Sequence, residues 1–223
     1  MKGVLASARK QDNIRPESSA PAARPMPCHQ KESARDIMFI ETESTPNPAT
    51  LKFLPGRDVM GSAGTADFVA GEDASRSPLA ERLFALDGVA RVFLGADFIT
   101  ITKTDATEWQ ALRPQILGAV MEHMLAGLPV LEGLGEDADE DFDPADSEAV
   151  AQIKELLDQR VRPAVAGDGG DIVFRGFRDG VVKLKMQGAC SGCPSSRATL
   201  KHGVENMLRH YIPEVLAVEQ VEA

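Results

Sequence analysis

Apolar and polar positions change period several times along the chain, and the changes mark out its elements. Residues 1–37 carry no apolar period and are rich in Pro, Ser, Ala, Arg and Gln, the composition of a disordered extension. From Met38 the pattern tightens. MFIETES and ATLKFLP read as two short strands separated by the turn TPNP. SPLAERLFAL then has helical spacing, with Ser77 as N-cap, Pro78 at the first helical position and Gly88 as a stop. VARVFLG and DFITITK pair as a hairpin around Gly95 and Ala96. Thr107 and Gln110 form a capping-box signal for a helix reaching Ala126, with Leu112, Ile116, Val120 and Met124 on one stripe. Pro114 falls late for a first turn, so it either kinks this helix or marks its true start.

A second set of periods starts at Ser147, predicted to cap a helix whose buried face is Val150, Ile153, Leu157 and Val161. Pro163 and AGDGGD end it. IVFRGF and VVKLKMQ follow as strands joined by the tight turn RDG. Val182, Leu184 and Met186 alternate with Lys183, Lys185 and Gln187, which predicts one buried and one solvated strand face. A helix from Pro194 buries Leu200, Val204, Met207 or Leu208, and Tyr211, and VLAVEQV is the last strand. The fold class is therefore α+β: two small two-layer α/β-sandwich domains, the second of order α-β-β-α-β. The boundaries are 1–37 for the extension, 38–131 for the first domain, 132–147 for a linker and 148–223 for the second domain.

Charge supports that linker. The chain has a formal charge of −10, yet eight of the thirteen residues from Glu136 to Glu148 are acidic and none is basic. Without those eight, 24 basic residues face 26 acidic ones, so the domains themselves are nearly neutral. Like charges keep such a segment extended and solvated. DADEDFDPADSE lacks the central Gly of a calcium-binding loop, so it reads as a tether. Nucleic acid is not expected as a partner, because phosphate binding needs clustered Lys and Arg. No apolar run long enough to span a membrane is present. The first twenty residues have no secretory h-region. Residues 1–37 hold seven basic and four acidic residues, more acid than a mitochondrial presequence usually carries. The extension then reads as dispensable, or as a start placed too early with Met38 as the functional one. A reducing compartment is expected: the bacterial cytoplasm, with the mitochondrial matrix as the alternative.

The chemistry is concentrated in QGACSGCPSS. Cys190 and Cys193 lie between a strand end and a helix N-terminus, where orphan amides and the helix dipole favour thiolate over thiol. Gly188 and Gly192 permit backbone conformations closed to other residues, and Ser191, Ser195 and Ser196 could donate to sulfur. Both thiolates are expected to point outward. Three readings compete. A thioredoxin-type thiol–disulfide oxidoreductase also places CxxC at such a junction, although its elements run β-α-β before the motif. A structural zinc site wants four ligands, and neither His202, His210 nor Cys28 is placed to complete one, which leaves zinc bound by a dimer. The third reading is a cubane cluster held by four thiolates, two from each of two chains related by a two-fold axis. Elsewhere the features read as structural. AGDGGD is a helix stop lying near the cysteine loop, Lys183, Lys185, Arg197 and Lys201 form a solvated face, His123 is at the surface or half-buried, and Trp109 anchors a helix start.

GDGGDIVF followed by VKLKMQGACSGCPSSRATLKHGVENML resembles the C-terminal domain of NifU-like proteins, and MFIETESTPNPATLKFLPG resembles the N-terminal domain of Nfu-type iron–sulfur cluster carriers. The resemblance covers nearly all of residues 38–223 in the same two-domain order. It does not extend to the full nitrogen-fixation NifU, whose cysteine-rich scaffold and ferredoxin-like domains are absent from this sequence. The family's bacterial members have no counterpart of the extension before Met38. The resemblance implies a non-enzymatic carrier. It would bind one labile 4Fe–4S cluster per homodimer through Cys190 and Cys193 of each chain, take it from upstream assembly proteins and deliver it to apo client enzymes. The first domain, which has no catalytic constellation, is expected to recognise clients or partners.

Overall fold

The computed structural model describes residues 39–133, 140–192 and 194–221, with the side chains of 194–197 outside the description. The predicted disorder of 1–37 lies outside the described residues, as do Cys28 and Cys193. Ile37–Ala223 form one compact unit, within which an N-lobe and a C-lobe each have an apolar core.

In the N-lobe five strands form an antiparallel sheet of order β1-β2-β5-β4-β3. They are β1 (Glu41–Ser44), β2 (Thr50–Leu54), β3 (Ala66–Val69), β4 (Val89–Leu94) and β5 (Ile99–Lys103). Helices α1 (Pro78–Phe84) and α2 (Trp109–Leu125) supply Leu79, Leu83, Leu112, Ile116 and Val120 to a core shared with Phe53, Val92, Leu94, Ile99 and Ile101. Ser77 caps α1 as expected, its Oγ accepting from the Ala80 amide at 3.0 Å. The expected capping box on α2 does not form. The cap position is Glu108 without a side-chain bond, and Thr107 Oγ1 instead pairs with Thr104 Oγ1 at 3.1 Å. Pro114 lies inside α2 and is not its start. His123, expected at or near the surface, is fully buried, with Nε2 3.1 Å from the Pro129 carbonyl. Burial lowers its pKa, so it is neutral.

The C-lobe sheet has order β6-β7-β8-β9: β6 (Asp141–Phe142) and β9 (Ala217–Gln220) flank the antiparallel pair β7 (Gly170–Arg178) and β8 (Val181–Gly188), each running parallel to its neighbour. The β7–β8 turn has positive φ at both Asp179 and Gly180, the conformation that matches strand twist in a two-residue hairpin. Strand β6 corrects the linker boundary. Residues assigned to a solvated tether enter the sheet because Phe142 packs against the C-lobe core and Asp141 pairs with Arg178 and Lys183. The expected single helix is interrupted: α3 (Ser147–Leu156) passes through a π-helical turn, Leu157–Val161, into α4 (Arg162–Gly167). Pro163 stands in the first turn of α4, where its missing amide costs nothing, so it opens a segment instead of ending one. Ser147 is the first residue of α3, not its cap. Helix α5 (Pro194–Tyr211) buries Val204 and Leu208. Tyr211, expected in the core, is 46% exposed and takes a hydrogen bond from Arg160 at 3.0 Å.

Candidate metal centre

Strand β8 delivers the cysteine loop. At its last residue, Gly188, the backbone adopts φ 64° and ψ −137°, which only glycine enters without strain. A short 3-10 turn, Ala189–Ser191, follows, and α5 starts at Pro194. Gly192 has a negative φ, −102°, open to any residue, so of the two glycines only Gly188 uses its freedom. Ser191 Oγ donates to the Gly188 carbonyl at 2.8 Å, tying the loop to its own strand; the expectation that it donates to sulfur is not met.

Cys190 is not presented outward. It is 6% exposed and packs with the C-lobe core. Its seat is Gly170 at the start of β7, where a Cβ would lie 2.6 Å from the Gln187 carbonyl oxygen and 2.9 Å from Cys190 Sγ. The AGDGGD segment therefore floors the thiol as well as ending a helix. Gly170→Ala is expected to cost about 1–3 kcal/mol, because the backbone oxygen cannot give way as a flexible side chain could. Urea unfolding checks the stability, and a reduced iron yield on reconstitution checks the displaced thiol.

Sequence reasoning found no chemistry in TPNP, yet this turn borders the loop. Asn47 Oδ1 accepts from the Ala49 amide at 3.0 Å, and Asn47 Nδ2 stands 3.1 Å from where a Gly192 Cβ would be. Trp109 anchors the same turn, donating from Nε1 to the Pro48 carbonyl at 3.2 Å. The signal was available only as an unusual Pro-Asn-Pro run far from the cysteines in sequence.

Two charged pairs frame the centre. Arg162 forks onto Asp171, Nε to Oδ1 at 2.8 Å and Nη2 to Oδ2 at 2.7 Å, and these bonds raise the Arg162 pKa further above its ordinary value. Asp67 on β3 accepts from Arg91 at 2.6 Å, but desolvation still holds its carboxyl pKa above the usual range. Lys183 pairs with Asp141, and His202 is exposed. Among the described residues no three His, Cys, Asp or Glu side chains converge as a metal cage. One copy of the loop offers at most two sulfurs, half of what a cubane needs. Among the described residues no helix is long and apolar enough to cross a membrane.

Residues 40–127 match the family model described as the N-terminal domain of the scaffold protein Nfu/NifU, and residues 153–219 match the NifU-like domain model. The proteins named NFU1 iron-sulfur cluster scaffold homolog, mitochondrial, of Drosophila sechellia and Drosophila simulans are each 56% identical over 189 residues, 85% of this chain and 67% of theirs. Among solved structures, a NifU-like protein from Saccharomyces cerevisiae aligns with a TM-score of 0.41 and 23% identity, over 49% of this chain and 97% of that one. A Staphylococcus aureus protein aligns at 0.33 and 23%, over 37% and 99%.

Proposed function

The chain belongs to the Nfu/NifU family of iron–sulfur cluster scaffold proteins, and from that premise we propose that it carries one 4Fe–4S cluster between the CxxC loops of two copies and hands it to apo-proteins. The observation behind this reading is the loop itself, two cysteines at a strand-to-helix junction inside a matched NifU-like domain. Cys190 and Cys193 are the proposed ligands, and the second chain supplies the other two thiolates. The cluster is cargo. It is held by ligands that separate when the dimer does, a property that suits transfer and suits a permanent redox centre poorly. No step makes or breaks a substrate bond on the protein, so the role is that of a carrier and not an enzyme.

The proposed partners are a second copy of this chain, an upstream donor and apo iron–sulfur clients. The N-lobe is assigned to recognition of clients or partners. Relatives named as mitochondrial favour the matrix over the bacterial cytoplasm as the compartment. Residues 141–147 belong to the C-lobe, which shortens the proposed tether at its C-terminal end.

Anaerobic reconstitution tests the proposal. It should yield about four irons and four sulfides per dimer, a brown protein with broad visible absorption, and return to monomer when a chelator strips the iron. Dithiol turnover of disulfide substrates without bound iron, or a colourless air-stable metal, would replace the carrier reading by an oxidoreductase or a zinc protein.

A further inference from the structure

The outer face of the N-lobe sheet, turned away from α1 and α2, carries one row of cross-strand neighbours: Lys52 opposite Thr100, Thr100 opposite Phe93, and Phe93 opposite Asp67. A sheet face with two charged members is ordinarily solvated. Here Phe93 is fully buried and Thr100 is 1% exposed, yet Phe93 belongs to neither apolar core. The C-lobe covers the row. A Cβ on Gly188 would stand 2.9 Å from the Phe93 ring, and one on Gly169 would stand 3.1 Å from Thr100 Oγ1. Lys52 Nζ donates to the Gly167 carbonyl at 3.4 Å. Beside the row, Thr65 Oγ1 donates to Asp171 Oδ2 at 2.9 Å, with Gln187 Oε1 3.4 Å away. The Gln187 end of the β8 face that alternation assigns to solvent is thus laid on the N-lobe, and β5 runs beside the turn that holds Cys190.

We infer that this packing is a closed state in which the N-lobe sheet covers the cysteine loop, and that the loop must leave it before a second copy can share a cluster. The inference rests on the shared-cluster reading. A cubane bridging two chains needs sulfur projecting from each surface, whereas Cys190 is buried here with Asn47 and β5 beside its loop. One surface of the loop cannot face both the N-lobe and a second chain. The contact is also built to release. Among the described residues it joins the Phe93 and Phe98 rings, centroids 5.9 Å apart, to glycine backbone, a few hydrogen bonds and the attraction of Asp67 for Lys185, with little apolar area beyond the two rings. Interfaces of this composition between parts of one chain open readily. The N-lobe is then a lid that competes with dimerisation, protecting the thiol in the apo carrier.

The test uses the full-length apoprotein and the alkylation rate of Cys190 by iodoacetamide, read from the fragment ions of the tryptic peptide 186–197, which place the label on Cys190 or on Cys193. Phe93→Ser removes the covered ring without touching the N-lobe core. Thr65→Glu sets a second carboxylate against Asp171 from a half-exposed position that the N-lobe fold does not need. Reactivity of a covered thiol scales with the open fraction. Both variants should therefore alkylate about tenfold faster or more, with unchanged circular dichroism. Should Phe93→Ser not fold, Thr65→Glu alone decides. Wild-type rates in a folded variant overturn the closed state. Iron per dimer in wild type, measured separately, judges the shared-cluster reading, so the two failures are told apart.

Discussion

Under the proposed shared cluster, Cys190→Ala is expected to reduce iron after reconstitution from about four per dimer to well under one. A cubane with two of its four thiolates removed has open iron sites that water and chelators reach, and a dimer assembled only around the cluster falls apart with it. The substitution must be separated from unfolding, because Cys190 packs in the C-lobe core. Alanine loses one sulfur from a site floored by glycine, a change whose cost lies near the ordinary ~1 kcal/mol for a point substitution. Cys193→Ala should match it in iron content. Iron analysis, the visible spectrum and sedimentation of the alanine variants, beside a thermal melt of the apoproteins, check both parts. A variant that melts like wild type and still holds a full cluster would remove Cys190 as a ligand.

The elements legible in the sequence were those whose pattern is local. Ser77-Pro78 announced α1, the VARVFLG and DFITITK alternation gave β4 and β5, and the Asp-Gly turn between β7 and β8 stands where expected. β3 was missed because ADFV is four residues long and enclosed by glycine and threonine, too short for alternation to register. β6 was hidden under acidic composition, although Phe142 at the centre of DFD was a strand signal. The cysteine motif, its junction and its ligand shortage were readable from spacing alone. Its burial was not. That depends on Gly170 approaching Cys190 and on Phe93 meeting Gly188, contacts between residues 20 to 95 positions apart. Alternation in β8 correctly chose the face of Val182, Leu184 and Met186 for the core. It could not tell that the Gln187 end of the opposite face meets a second polar surface instead of water, because hydrophobicity patterns report apolar burial only.

Arg162→Ala should be among the most destabilising substitutions in the C-lobe, and more costly alone than together with Asp171→Ala. The Asp171 side chain is 5% exposed, and most of its compensation is the Arg162 fork; the Ile172 amide at 2.8 Å and Thr65 supply the remainder. Deleting the guanidinium strands a buried carboxylate, a loss of about 3–5 kcal/mol in a dry interior. Arg162 is itself 38% exposed, so solvent screening places the expected value at the lower end, about 3 kcal/mol. Against a typical domain stability of about 5–15 kcal/mol that is a large fraction. The double variant removes the charge that needed a partner, so it should recover part of the loss, as unpaired-charge penalties do. Arg162→Lys keeps the charge but not the planar fork and should fall between wild type and alanine. The site makes the effect functional. Asp171 is the residue after Gly170, and Arg162 fastens that strand end to the first turn of α4. Loosening it frees the floor beneath Cys190. Urea unfolding of the three variants gives the energies, and cluster half-life after reconstitution should shorten in the same order. An Arg162→Ala chain as stable as wild type, or a double variant worse than either single one, would show that Asp171 finds its compensation elsewhere.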